Sequence, residues 1–257
     1  MRFAARLLSV SDNCTIPINY SYPLSAAIYR ILANGDKEYA EFLHERGYGK
    51  GFKLFSFSQI NCPFRIEGDR LRILGRELSF FISFHLPQAA ESFITGLFQS
   101  EVLVIADRKS RAEFRFQRIE RLPDSLSSYQ EKEVVEIKVK PLSPVVTGLQ
   151  DERGYYNFLS PDDSRFNATL MYNWRSKIAS SYDESAAREA AVSIICPPFE
   201  KPPKSRLITI KANTLAETKI RGWMNFELMI SGQKCFVDLL INSGVGLYNG
   251  QGMGYVS

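Results

Sequence analysis

In the first third of the chain the apolar positions recur with a helical period. Within "PLSAAIYRIL", Leu24, Ala27, Ile28, Ile31 and Leu32 fall three and four apart on one stripe, and Tyr29 points off it. "NGD" breaks the pattern. Asp36 is then placed to cap a second short helix, "KEYAEFLHER", which Gly47 stops. In that helix Tyr39, Phe42 and Leu43 form the apolar stripe, and His44 is rotated about 100° from Leu43. Around these helices the period changes to two. Arg2 to Ser9 alternates. "FKLFSFSQI" and "LRILGRELSFFISFHL" read as aromatic-rich strands joined through a turn at "EGDR", and "AEFRFQRIE" is a further strand. Pro87 opens a helix with Ala90, Phe93, Ile94 and Leu97 on its buried stripe.

The predicted order over residues 1–122 is therefore βα(α)ββαβ, that of the ferredoxin-like fold. A polar stretch, "LPDSLSSYQEKE", marks a linker, and residues 131–257 repeat the plan loosely. "EVVEIKVKPLSPVVT" suits a strand. Phe166, Leu170 and Trp174 space out a helix, "SRLITIKA" and "KIRGWMNFELMI" suit a strand pair, and "KCFVDLLIN" a last helix. The fold class expected is α+β, two tandem ferredoxin-like (RRM-like, βαββαβ) domains.

The chain ends in "NSGVGLYNGQGMGYVS", with glycines at 244, 246, 250, 252 and 254. Phosphate cradling by a loop that opens a helix does not fit. No Lys-Ser/Thr follows the last glycine, and too little chain remains for a helix. The loop is expected between an element ending near Ile241 and a strand starting near Met253. A side-chain-poor backbone there can pack against the first domain or let a polyanion come close.

Composition adds little beyond exclusions. The formal net charge of +4 is compatible with nucleic acid and does not demand it. Four scattered cysteines, without a CxxC pair, suit a reducing compartment, and with two histidines they give no zinc-ligand pattern. "MRFAARLLSV" is interrupted by Arg2 and Arg6 and does not read as a signal peptide, and no apolar run approaches a membrane span. The expectation is a cytoplasmic protein with no membrane partner, no metal and no cofactor.

In order, "MRFAARLL", "IPINYSYPLSAAIYRIL", "FLHERGYGKGFKLFSFS", "PLSPVVT" and "GVGLYNGQGMGYV" together resemble the CRISPR-associated endoribonuclease family that cuts repeat RNA into guide units. The resemblance runs over essentially the whole chain, and the terminal glycine loop is its most specific part. It implies two ferredoxin-like domains, CRISPR repeat RNA as partner, and metal-free cleavage. Such cleavage uses the 2′-hydroxyl as nucleophile and leaves a 2′,3′-cyclic phosphate and a 5′-hydroxyl. A CRISPR effector complex and a homodimer remain open as further partners.

The resemblance also implies site residues. "FLHE" before "KLF" matches the family's catalytic histidine at His44, and histidine is a natural proton carrier near neutrality. Without the resemblance, His44 reads as a surface residue at the end of a helix. Tyr29 matches the active-site tyrosine, against the rival reading of an amphipathic helix-edge residue. Lys53 in "FKLFSF" matches the active-site lysine, a natural phosphate stabiliser, with Lys50 close enough to exchange roles. His85, just before a helix, reads as structural. Gly244, Gly246, Gly250, Gly252 and Gly254 are candidates to approach RNA, with packing as the rival role. Arg206, Lys211, Lys219 and Arg221 are candidate phosphate contacts, and "DRKSRAEFRFQR" adds Arg108, Lys109, Arg111 and Arg115. The alternative function is a CRISPR RNA-binding subunit of the same fold that does not cut. A nucleotide-binding enzyme is disfavoured by the missing lysine and helix.

Overall fold

The computed structural model describes residues 1–212 and 214–257. The first half comprises β1 (Arg2–Ser9), β2 (Thr15–Pro17), α1 (Ser21–Gly35), α2 (Lys37–Glu45), β3 (Phe55–Phe57), β4 (Phe64–Glu67), β5 (Arg70–Ile73), β6 (Glu77–Phe84), α3 (Pro87–Gln99), β7 (Val102–Ala106) and β8 (Arg111–Arg121). Its main sheet runs β3-β6-β1-β8-β7, every pairing antiparallel. The first four strands have the ferredoxin-like order, and β7 is an added edge strand. The helices α1 and α3 cover one face, because Leu24, Ile28, Ile31, Leu32 and Phe93 bury their stripes against Phe80, Ile82 and Phe84 of β6.

The second half comprises β9 (Val134–Val139), β10 (Gly148–Gln150), β11 (Tyr156–Phe158), α4 (Phe166–Ser181), α5 (Glu184–Glu189), β12 (Ser193–Ile195), β13 (Lys204–Ile210), β14 (Thr218–Met224), β15 (Leu228–Gln233) and α6 (Lys234–Ser243). Its sheet is β12-β15-β9. The C-terminus extends it past β9 through an antiparallel bridge, Pro141 to Val256, and the hydrogen bonds Lys140 N–H to Ser257 O and Ser257 N–H to Lys140 O. This is the ferredoxin-like order again, with a fourth strand reduced to a few residues. The architecture is two ferredoxin-like units in tandem. A second apolar core, around Trp174, Phe166, Leu228 and Leu240, fills this half.

Three expected strands differ in detail. The segment 71–86 is cut at Gly75, which has φ +94°, so β5 joins β2 and β4 in a small separate sheet. "FKLFSFSQI" joins the main sheet only over Phe55–Phe57, after Leu54 at φ +52°. "KIRGWMNFELMI" breaks at Asn225, φ +63°, sending β14 to a hairpin with β13 and β15 to the central sheet. Among the described residues no helix is long and apolar enough to cross a membrane.

Candidate active site

The helix α2 starts where its cap predicts. The Asp36 carboxylate accepts a hydrogen bond from Tyr39 N–H at 3.0 Å. Its end is closed by Arg46 and Gly47 N–H, both donating to Phe42 O at 2.9 Å, with Gly47 at φ +68°. Burying Tyr39, Ala40 and Leu43 leaves His44 exposed in the last turn. From α1, Tyr29 meets the His44 ring edge-on, with centroids 5.2 Å apart and planes at 90°. Lys53, on the stretch that leads into β3, donates from Nζ to the His44 carbonyl at 2.9 Å. Partial burial pulls the Lys53 amine below the usual lysine range, and burial pushes the Tyr29 phenol up, so its hydroxyl keeps its proton. That hydroxyl makes no hydrogen bond to a described residue.

Tyr29, His44 and Lys53 line one cleft of about 470 Å³, and its opposite wall is the glycine loop, with Gly246, Tyr248, Asn249 and Gly250. The loop is tied down along its length. Ser25 Oγ donates to Gly250 O at 2.6 Å and Ser56 Oγ to Met253 O at 2.8 Å. Asn249 Nδ2 donates to Met253 O at 3.0 Å and to Val245 O at 3.2 Å. A side chain at Gly250 would press on Lys53, with Cβ 3.1 Å from Lys53 Cβ and Cγ. Gly244, Gly246, Gly252 and Gly254 are turned into the protein against Ser56, Val146, Phe57 and Val245. The loop thus leaves no room for a side chain beside Lys53 and locks the second half onto β3 of the first.

Behind the loop lies a lysine whose role the sequence reading missed. Lys177, on α4, is 1% exposed. Its Nζ donates to Gly244 O at 2.5 Å and to Asn249 Oδ1 at 2.7 Å, and lies 5.8 Å from the Phe52 ring centre. The signal was present, since Lys177 follows Trp174 by three positions and Leu170 by seven and so shares their buried stripe.

The family model described as "CRISPR associated protein Cas6, C-terminal" matches residues 128–257, just over half of the chain. The chain belongs to the Cas6 family. A second family model, "CRISPR-associated protein Cas6, N-terminal", matches residues 15–117. A curated relative from Methanocaldococcus jannaschii, named CRISPR-associated endoribonuclease Cas6 1, is 26% identical over 248 residues, which is 96% of this chain and 89% of that one. A Cas6-related protein from Pyrococcus furiosus shares the fold with a TM-score of 0.77 at 21% identity, over 100% of this chain and 97% of that one. A RAMP protein described as binding different RNA substrates does so with a TM-score of 0.77 at 19% identity, over 100% and 98%.

The other candidates of this Cas6 chain are dispersed. Lys50 also lines the cleft, but its Nζ donates to Tyr172 Oη at 3.1 Å. His85 lies 3.9 Å from Asp238 of α6, and burial holds its pKa down to about 4, so it is neutral near pH 7. Arg206 donates to Ile18 O at 3.0 Å and lies over the Tyr20 ring, joining the β13–β14 hairpin to the first half. Lys219 pairs with Glu217 at 3.8 Å, and Arg221 donates to Ser205 Oγ at 3.3 Å, both on exposed hairpin positions. Arg115 is exposed on β8, whereas Arg108, Lys109, Arg111 and Lys211 gather around a second cavity.

Burial gives Lys177 of this Cas6 protein a measurable signature. Desolvation pushes its pKa down to about 7 from the ordinary 10.5. Between those values the unfolded chain holds a proton that the folded chain releases, so stability rises with pH across that window and is at its lowest, and level, below about 7. His85 stays neutral throughout it. The thermal midpoint of the wild type, measured against Lys177→Met, should therefore climb as pH is raised from about 6 to about 9. A difference that stays flat would show that Lys177 keeps its proton.

Proposed function

We propose that this chain is an endoribonuclease that cuts CRISPR repeat RNA in the cleft between α1, α2 and the glycine loop, without using a metal. The observation that carries this reading is the convergence of His44, Tyr29 and Lys53, from three separate elements, on one cleft. The names of the relatives lend it support: one is called an endoribonuclease and another is described as binding RNA. Residues 1–122 would supply the reacting side chains, and residues 131–257 the loop opposite them.

In the reaction, the RNA 2′-oxygen attacks the adjacent phosphorus and the bond from phosphorus to the 5′-oxygen breaks. The 2′-hydroxyl proton must leave and the 5′-oxygen must gain one. Exposed at the cleft, His44 is the side chain that moves a proton. The Lys53 ammonium balances charge gathering on the phosphorane, and the unpaired Tyr29 hydroxyl donates a hydrogen bond to it. At Gly250, which lines the cleft beside Lys53, the lack of a side chain leaves Lys53 free to face the RNA backbone.

Repeat RNA incubated with the protein in excess EDTA should be cut once, leaving a 2′,3′-cyclic phosphate and a 5′-hydroxyl. A cut that requires added magnesium, or a 5′-phosphate product, would rule this chemistry out. Tight binding with no cut would instead make the chain a non-cleaving CRISPR RNA-binding subunit.

A further inference from the structure

On the neighbouring face of α1 a second cavity opens, of about 650 Å³. It is bounded by α1, the start of β5, the β7–β8 turn and the end of β13. Its wall carries six cationic side chains, Arg30, Arg70, Arg108, Lys109, Arg111 and Lys211, against two carboxylates, Asp69 and Asp107. The wall is therefore cationic on balance even when Glu113, which pairs with Arg111, is counted with the two carboxylates.

The cations divide into two kinds. Arg70 is held by Asp107 at 2.7 Å, Lys109 by Asp69 at 2.7 Å and Arg111 by Glu113 at 2.8 Å. Arg30, Arg108 and Lys211 are exposed, and their side chains make no hydrogen bond or ion pair with any described residue. Two unpaired guanidinium groups on one rim are suited to phosphate oxygens. Beneath them the surface is apolar, with Pro17, Pro23, Val104 and the Tyr22 ring.

This cavity is continuous with the cleft. Tyr22 and the exposed Ala26 line both. Tyr22 and Tyr29 are seven residues apart on α1, roughly 10 Å along its axis, within the span of a few nucleotides of an extended strand.

We propose that this second cavity is a nucleotide subsite for the strand on one side of the cut. The strand passes over Ala26, seats a base on the apolar floor by Tyr22 and Pro23, and lays its phosphates on Arg30 and Arg108. A cationic groove with an apolar, partly aromatic floor is the chemistry that holds single-stranded RNA. This inference rests on the RNA-cleaving reading above.

The test compares wild type, Arg30→Ala/Arg108→Ala, and the charge-matched control Lys132→Ala/Arg153→Ala, whose exposed cations lie outside both cavities. Each is titrated with repeat RNA across a salt series, and with repeat RNA shortened from either end. The double variant should bind about tenfold more weakly. Its slope of log affinity against log salt should fall by about 1.4, for two single-strand phosphates. Shortening one end should weaken the wild type and the control but leave the double variant unchanged. If wild type binds and cuts while the double variant matches the control, the subsite is wrong and the nuclease stands. If wild type neither binds nor cuts repeat RNA, the RNA reading fails together with the subsite.

Discussion

In single-turnover cleavage of repeat RNA, His44→Ala should be about 10²–10⁴-fold slower than wild type, the range of one general acid or base. Its RNA affinity should stay within about twofold, because the substitution removes a proton carrier and no fixed charge–phosphate contact. The fold should survive. His44 is exposed on α2, and its ring meets only the edge of Tyr29. The Lys53 bond is to the backbone carbonyl of residue 44, which alanine keeps. This separation is what makes the variant informative. A loss of affinity matching the loss of rate would make His44 a binding residue. Cleavage within about tenfold of wild type would leave proton transfer to another group, with the Tyr29 hydroxyl next in line. Lys53→Ala gives a contrasting pattern, since it removes a charge as well as the brace on His44. Both the rate and the salt dependence of binding should fall there.

How much of this was legible beforehand depended on how local each signal was. The α1 stripe and the Asp36 cap are matters of a few adjacent residues, and both lie where the pattern put them. The exposure of His44 followed from the same short-range geometry. What brings Tyr29, His44, Lys53 and the loop to one cleft is long-range pairing, and no spacing along the chain expresses that. The family resemblance supplied the grouping. Single-residue backbone turns escaped as well. Leu54 sits at positive φ although its type favours no such turn, and Asn225, a type that tolerates positive φ, was a faint signal hidden within an apolar run. Lys177 was legible in principle, as a lysine on a buried stripe, but its partners Gly244 and Asn249 lie far along the chain.

The glycine loop was expected to pack against the first domain, to approach RNA, or both, and Gly252 allows the packing role to be weighed. Gly252→Ala should destabilise the protein by about 2–5 kcal/mol, from two additive sources. Its backbone is left-handed, at φ +79° and ψ 34°, which costs a non-glycine residue roughly 1–2 kcal/mol. Its new Cβ would also stand 2.3 Å from Phe57 Cε2 and 2.6 Å from Cζ. Phe57 is 1% exposed in the core and its ring has nowhere to go, so overpacking adds about 1–3 kcal/mol. Gly68 separates the two terms. It has φ +61° in the β4–β5 turn, and a Cβ added there would meet nothing within 4 Å, so Gly68→Ala should cost only the backbone part. Denaturant unfolding of the two variants side by side reads the difference. Equal costs would mean that Phe57 yields and the loop is looser than its packing implies. A larger cost at Gly252, accompanied by slower cleavage below the unfolding transition, would tie catalysis to the loop, because Gly252 packs on Phe57 of β3 and Gly250 lines the cleft beside Lys53.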